Sequence, residues 1–340
     1  MVDPKINDIE WWPHRYDEKL DRVHYVQASR DDHRSATFLT DEYLPHAAKP
    51  SPIKMGEAVN GVKSEGEAPL HFIFHSAYCC STLLARAYDV PGQSMGLKEP
   101  MLLNDIKGIQ SRGAQPQQVL ALLDGVLTLL SRPFETGEAV IVKPSNVVNF
   151  FAGHMLNMRP NAHALFLYAP LEEFLVSIAR KGLWGRHWVR DLMLKQLKDG
   201  LVQLGIKGDE FLMLTDIQVA AVGWLTQHLL FQRLIQSIGS ARVKTLNSKK
   251  LLSDPKQVMK VLNKHFNVAM TDDQLEALVT GPVFTKHSKT ASDYSAEKRE
   301  TERKRGADLH AEEVEKVVHW AQTIAQSANV SLEMPAPLVK

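Results

Sequence analysis

The sequence predicts an α/β protein built on a mostly parallel sheet, and three observations carry that reading. Short apolar runs occur at 70–75 (LHFIFH), 139–145 (AVIVKPS), 162–169 (AHALFLYA) and 241–248 (ARVKTLNS) and read as strands covered on both faces. Helical patterns separate these runs, the alternation expected of parallel strands joined by crossover helices. A length of 340 residues with 44% hydrophobic and 23% charged content is enough for one large or two modest domains with a substantial core.

From the N-terminus, residues 1–44 are polar and aromatic with weak periodicity, hold Trp11 and Trp12, and are expected to form an irregular cap. Residues 45–68 are rich in Pro, Gly, Ala and Lys, the composition of a linker or surface loop. The main domain is placed at 69–335. Within it, helical patterns at about 183–204 and 215–238 follow one another with no strand between, which suggests a helical lid at about 183–238. Capping boxes start helices at Thr215 (TDIQ) and Thr271 (TDDQ), and Asp254 with Pro255 marks another start. The dense charges of 293–316 suit a solvated helical face, and Val314, Val317, Val318, Ala321 and Ala325 then form an apolar stripe.

Forty basic against thirty-nine acidic residues leave a formal charge of +1, so the bulk balance points to neither nucleic acid nor a membrane surface, and any anion site must be local. The opening segment has charges and a proline where a signal peptide needs an apolar core. The most apolar helix-like run, VLALLDGVLTLL, is too short to span a membrane and contains Asp124. A cytoplasmic protein without a membrane span is expected. The two cysteines, Cys79 and Cys80, are adjacent and cannot staple distant segments. They suit small fillers of glycine or serine positions. His71 and His75 lie on one strand with no companion set at ligand spacing, so no metal is expected.

The stretch FIFHSAYCCSTLLARAYD, 72–89, has the strand, polar turn and helix of a phosphate-gripping loop. The nucleotide template G-x-x-x-x-G-K-S/T puts His75 and Cys80 at the glycines and Ser81 at the lysine, leaving only Thr82 in place. The loop more closely resembles that of the sulfotransferases, whose type is Lys/Arg-Ser-Gly-Thr-Thr/Ser followed by an apolar pair. Aligned on Thr82, Leu83 and Leu84, the chain reads Tyr78, Cys79, Cys80, Ser81, Thr82, so both terminal hydroxyl residues match while the basic residue and the glycine do not. Further segments resemble the family in the same order. GLKEPMLLNDI (96–106) is similar to its K-E-P segment. ALFLYAPLEEFLVSIARKG (164–182) is similar to its 3'-phosphate unit, with Ser177 at the family serine but Ala169 at the strand-end arginine. The run 243–268 shares Leu251, Leu252, Asp254, Pro255 and Phe266.

The resemblance implies a three-layer, P-loop NTPase-like α/β fold that takes 3'-phosphoadenosine 5'-phosphosulfate as co-substrate and moves its sulfuryl group to a hydroxyl or amine. It implies that the 5' end lies on residues 76–82, including Ser76, Tyr78, Cys79 and Cys80, with Ser81 and Thr82 donating. Ser177 would hold the 3'-phosphate. Arg180, three residues on and on the same helix face, can replace the charge missing at Ala169 or pair with Glu173. Lys286 and Lys289 resemble the family's late basic loop, though a solvated loop fits them as well. Sulfuryl transfer needs a cation at the leaving group, and Lys143 and Lys98, at segment ends that face a cleft, are the candidates. The acceptor needs a base, for which Glu99 comes first and His75 second. RKGLWGRHWVR (180–190) gathers Arg180, Lys181, Arg186, His187 and Arg190 around Trp184 and Trp188 and suits a base or an anionic acceptor, or a helix anchored by its tryptophans. A P-loop NTPase or small-molecule kinase, and a non-catalytic relative that uses the cleft to bind a ligand or partner, stand as alternatives.

Overall fold

A computed structural model describes residues 3–44, 49–285 and 296–339. Its described strands make two sheets. In the smaller, antiparallel one, β1 (Trp11–Asp17), β2 (Arg22–Gln27) and β3 (Ser51–Lys54) lie side by side in that order. The larger holds β4 (Leu70–His75), β5 (Ser94–Lys98), β6 (Ala139–Lys143), β7 (Ala164–Tyr168) and β8 (Val243–Asn247) in the order β5-β6-β4-β7-β8. It is the expected parallel sheet: β5 and β4 both run parallel to β6, and every residue of β4, β5, β6 and β7 is buried. The four apolar runs became β4, β6, β7 and β8.

The chain divides into two compact units. The first comprises residues up to 74, 81–164 and 263–278. It holds β1–β3 and the helices α1 (Arg30–Ser35), α2 (Met55–Glu65), α3 (Ser81–Ala87), α4 (Met101–Ser111), α5 (Pro116–Leu130) and α6 (Ala152–Met158). Two expectations are corrected here. The N-terminal segment is not irregular: Trp12, Val23 and Tyr25 are fully buried on the hairpin of β1 and β2. The expected linker contains β3 and α2, because Met55, Ala58 and Val62 recur at helical spacing and give α2 a buried stripe. Strand β5 was also unforeseen. Its Gly96 is required, since a Cβ there would lie 2.1 Å from the carbonyl oxygen of Ala85 on α3.

The second unit comprises 75–80, 165–262 and residues from 279 onward. It includes α7 (Leu171–Arg180), α8 (Gly182–Lys198) and α9 (Asp216–Ile238). The remaining helices of the chain are α10 (Ser248–Ser253), α11 (Pro255–Phe266), α12 (Asp272–Thr280), α13 (Pro282–Thr285) and α14 (Ala296–Ser327). Thr215 caps α9 with a complete capping box, the Thr271 box closes in the same way, and Asp254 accepts from the Gln257 N–H at the start of α11. Leu171, Phe174, Leu175 and Ile178 form the buried stripe of α7, and α14 packs on α7 and α9, with Val314, Val317, Ala321 and Ala325 buried. Helix α9 is a core helix and not part of a lid: Ile217, Val222, Trp224, Leu225 and Phe231 are all essentially inaccessible.

Candidate functional site

In the second unit, the chain that leaves β4 turns through 75–80 in a conformation seldom adopted by side-chain-bearing residues. Ala77, Tyr78 and Cys80 sit at φ +70°, +53° and +64°, in the left-handed region. Glycine normally fills such positions, and here none is available. Internal bonds hold the turn. The Ser76 N–H donates to the Leu167 carbonyl at 3.1 Å, and the Cys79 thiol donates to the same oxygen at 3.2 Å. The Ala77 N–H donates to His75 Nδ1 at 3.0 Å. Ser76 Oγ donates to the Ala77 carbonyl and accepts from the Ala169 N–H.

These bonds revise several expected roles. The N–H groups of Ser76 and Ala77 and the Cys79 thiol have partners inside the protein, so they brace the loop. The Ser76 hydroxyl is fully buried and serves the same purpose. His75, with Nδ1 engaged by Ala77, is a brace where a base was expected. Cys79 is buried as a small filler, as expected, and Cys80 occupies a left-handed position. Tyr78, at the place of the family's basic residue, meets Phe174 of α7 and Trp188 of α8 edge-on at ring-centre distances of 6.0 and 5.4 Å. Burial pushes its phenol up to about 12, so it offers a neutral O–H.

On α7 the hydroxyl of Ser177 donates to the Glu173 carbonyl at 2.8 Å, one turn back, and the Glu173 carboxylate meets Lys249 at 3.2 Å. Arg180, in the last turn of α7, is exposed. The carbonyl of Ala169 accepts from Trp224 Nε1 at 2.9 Å. The cluster at 180–190 is more structural than expected. Arg190 pairs with Asp216, and Arg186 pairs with Glu313 at 3.2 Å and Asp216 at 3.7 Å, so both arginines fasten α8 to its neighbours. Lys286 and Lys289 lie outside the described residues.

The first unit gathers the other candidates. Ser81 and Thr82 open α3, and both are buried. Lys98 and Lys143 are opposite one another in the register of β5 and β6, and only 2% and 1% exposed. Their partners differ. Lys98 Nζ donates to the carbonyls of His33, Arg34 and Ala36, capping the C-terminal end of α1. All three ammonium donors are thus occupied, which removes Lys98 from the catalytic candidates. Burial pushes it down to about 7, with the like charge of Arg86 adding to the effect and Asp89 opposing it. Lys143 pairs with the Glu99 carboxylate, and its ammonium stands 5.1 Å from the ring centre of Phe38. Glu99 has φ +55° and its N–H donates to the Lys143 carbonyl at 2.7 Å. The expected base and the expected cation are therefore partners. Sequence reading missed Phe38 and the α1 carbonyls, because nothing in the sequence ties residues 33–38 to strand ends some sixty and a hundred positions later.

No family model and no curated protein matches the chain. Sulfotransferases are among the solved structures similar to it. A sulfotransferase domain from the curacin biosynthetic pathway is 15% identical, with 79% of this chain and 99% of that one covered and a TM-score of 0.43. A sulfotransferase from Mycobacterium avium is 12% identical over 76% and 79% of the two chains, with a TM-score of 0.43. One from Alicyclobacillus acidocaldarius is 17% identical over 74% and 96%, with a TM-score of 0.37.

Proposed function

We propose that this chain is a sulfotransferase-like protein that grips the anionic end of 3'-phosphoadenosine 5'-phosphosulfate with the loop after β4 and passes the sulfuryl group to a hydroxyl or amine. The observation that carries this reading is the left-handed backbone at Ala77, Tyr78 and Cys80. Strain of this kind, roughly 1–3 kcal/mol per residue, persists where the surroundings enforce it and collects at ligand sites. Left-handed turns curl backbone N–H groups around anions, and parallel sheets take ligands at the carboxyl ends of their strands. In this reading Ser81 and Thr82 donate to the 5' end, the Tyr78 phenol adds a neutral donor, and Ser177 with Arg180 holds the 3'-phosphate. Glu99 takes the acceptor's proton, and Lys143, its ion-pair partner, supplies the cation.

A second reading, ligand binding without transfer, is favoured by the engagement of both strand-end lysines, Lys98 by the α1 carbonyls and Lys143 by Glu99. A thermal-shift titration followed by a transfer assay separates the possibilities. Adenosine 3',5'-bisphosphate at a hundred times its Kd should raise Tm by roughly 4 °C for a chain of this length, whereas ATP with magnesium should not. Label moving from sulfur-labelled donor to an acceptor then distinguishes transfer from binding. If the bisphosphate leaves Tm unmoved and Ser177→Ala alters nothing, both sulfonucleotide readings are abandoned.

A further inference from the structure

Arg86, on α3, is set apart from the other arginines of the first unit. Each of those bonds either to a carboxylate, as Arg30 does to Glu138 at 2.6 Å, or to backbone carbonyls, as Arg132 does to those of Asp8 and Trp11 at 2.9 and 3.2 Å. Arg86 enters no hydrogen bond or ion pair among the described residues, and its Nε is shut off from solvent without a partner. The acid nearest to it in sequence, Asp89, is already taken: Arg30 holds one carboxylate oxygen at 3.0 Å and Arg34 the other at 2.8 Å. Burial pushes the Arg86 guanidinium below its ordinary value. A half-buried charge without a counter-ion is destabilising until an anion comes to it.

Two observations place that charge. Side chains of a helix lean toward its N-terminal end and meet the residue four positions back, which for Arg86 is Thr82. Strand β5 points to the same end. Its Gly96 lies against Ala85 and Asp89 of the α3 segment, Lys98 lies beyond Gly96 at the end of the strand, and the positive charge of Arg86 is felt at Lys98. The guanidinium therefore lies toward the strand ends of the first unit. Of Arg86, Lys98 and Lys143, only Arg86 has no partner among the described residues, since Lys98 caps α1 and Lys143 pairs with Glu99.

We propose that Arg86 is the cation that meets the 5'-phosphate of the sulfonucleotide. The inference rests on the sulfonucleotide reading above and adds to it the residue that carries the charge missing where Tyr78 replaces a basic residue. A guanidinium presents a planar fork that matches two phosphate oxygens, and it keeps its charge at any pH at which the protein is folded. The bound phosphate satisfies the stranded guanidinium, with the Thr82 hydroxyl as a neighbouring donor. Lys143 is left to its exchange with Glu99.

Calorimetric titration of the full chain with adenosine 3',5'-bisphosphate tests this, together with the Tm of each ligand-free protein. Arg86→Gln should weaken binding roughly tenfold to a hundredfold, the worth of a hydrogen-bonded charge. Arg86→Lys, which keeps the charge and loses the fork, should recover part of that loss. The ligand-free Tm of Arg86→Gln should hold or rise, because the substitution removes a charge that nothing in the protein answers, whereas a structural arginine would lower it. Three results overturn the assignment: Arg86→Gln binds as the wild type does, Arg86→Lys binds as weakly as Arg86→Gln, or the ligand-free Tm falls together with the affinity. In each of these the wild type still binds, so the sulfonucleotide reading stands. A wild type that does not bind the bisphosphate strikes that reading and the assignment with it.

Discussion

Replacing Lys98 with methionine separates a structural post from a catalytic one. In the first unit the Lys98 ammonium is 2% exposed, spans the carbonyls of His33, Arg34 and Ala36, and is pushed by burial down to about 7 from an ordinary value of 10.5. Below about pH 7 both folded and unfolded chains hold this proton. Between about 7 and 10.5 the unfolded chain holds it and the folded one does not, so wild-type stability gains from rising pH across that window, by about 1.4 kcal/mol per pH unit. Lys98→Met lacks the titration. The stability of wild type relative to the variant should therefore improve by roughly 2–3 kcal/mol between about pH 7.5 and about pH 9.5. Urea denaturation followed by circular dichroism at the two pH values measures it, and hydrogen exchange at Arg30–Ser35 should quicken in the variant as α1 loses its cap. A relative stability that stays flat with pH would refute the burial argument.

Glu99→Gln leaves the Lys143 charge buried without its counter-ion and should cost roughly 3 kcal/mol, read from the urea midpoint. Gly96→Ala forces a methyl group to 2.1 Å from the Ala85 carbonyl and should cost about 3 kcal/mol, seen as a lower Tm with accelerated exchange in α3. Ala77→Gly relieves a left-handed alanine and should raise stability by about 1 kcal/mol, checked by calorimetry.

The parts of the fold legible in the sequence are those where large apolar residues dominate a short run. LHFIFH, AVIVK and ALFLY are buried on both faces, and their apolar continuity marks them as strands. SMGLK escaped notice because Ser94 and Gly96 break that continuity, each for a local reason: the Ser94 hydroxyl donates to the Tyr88 carbonyl, and Gly96 admits α3. Helix α2 reads as a linker because two glycines, Gly56 and Gly61, lie inside it and weaken its helical pattern. At the candidate site, sequence located Lys143 at the end of a strand and Lys98 and Glu99 in the K-E-P segment. It could not pair them, since pairing depends on which backbone carbonyls and carboxylates three-dimensional packing brings to each ammonium. The αL conformation of the loop was equally invisible, because Ala, Tyr and Cys carry no signal for it.

The Trp224 bond to the Ala169 carbonyl has a consequence for anyone who would place an arginine at that strand end. Ala169 is 1% exposed, and Trp224 is stacked on His228 with ring centres 3.3 Å apart. A guanidinium introduced at position 169 would start from a backbone that the indole already holds, in space that is already filled. Grafting therefore has to proceed in the opposite order from intuition: neighbouring bulk must be cut back first, and only then does Ala169→Arg become a gain of charge at the loop and not a loss of fold.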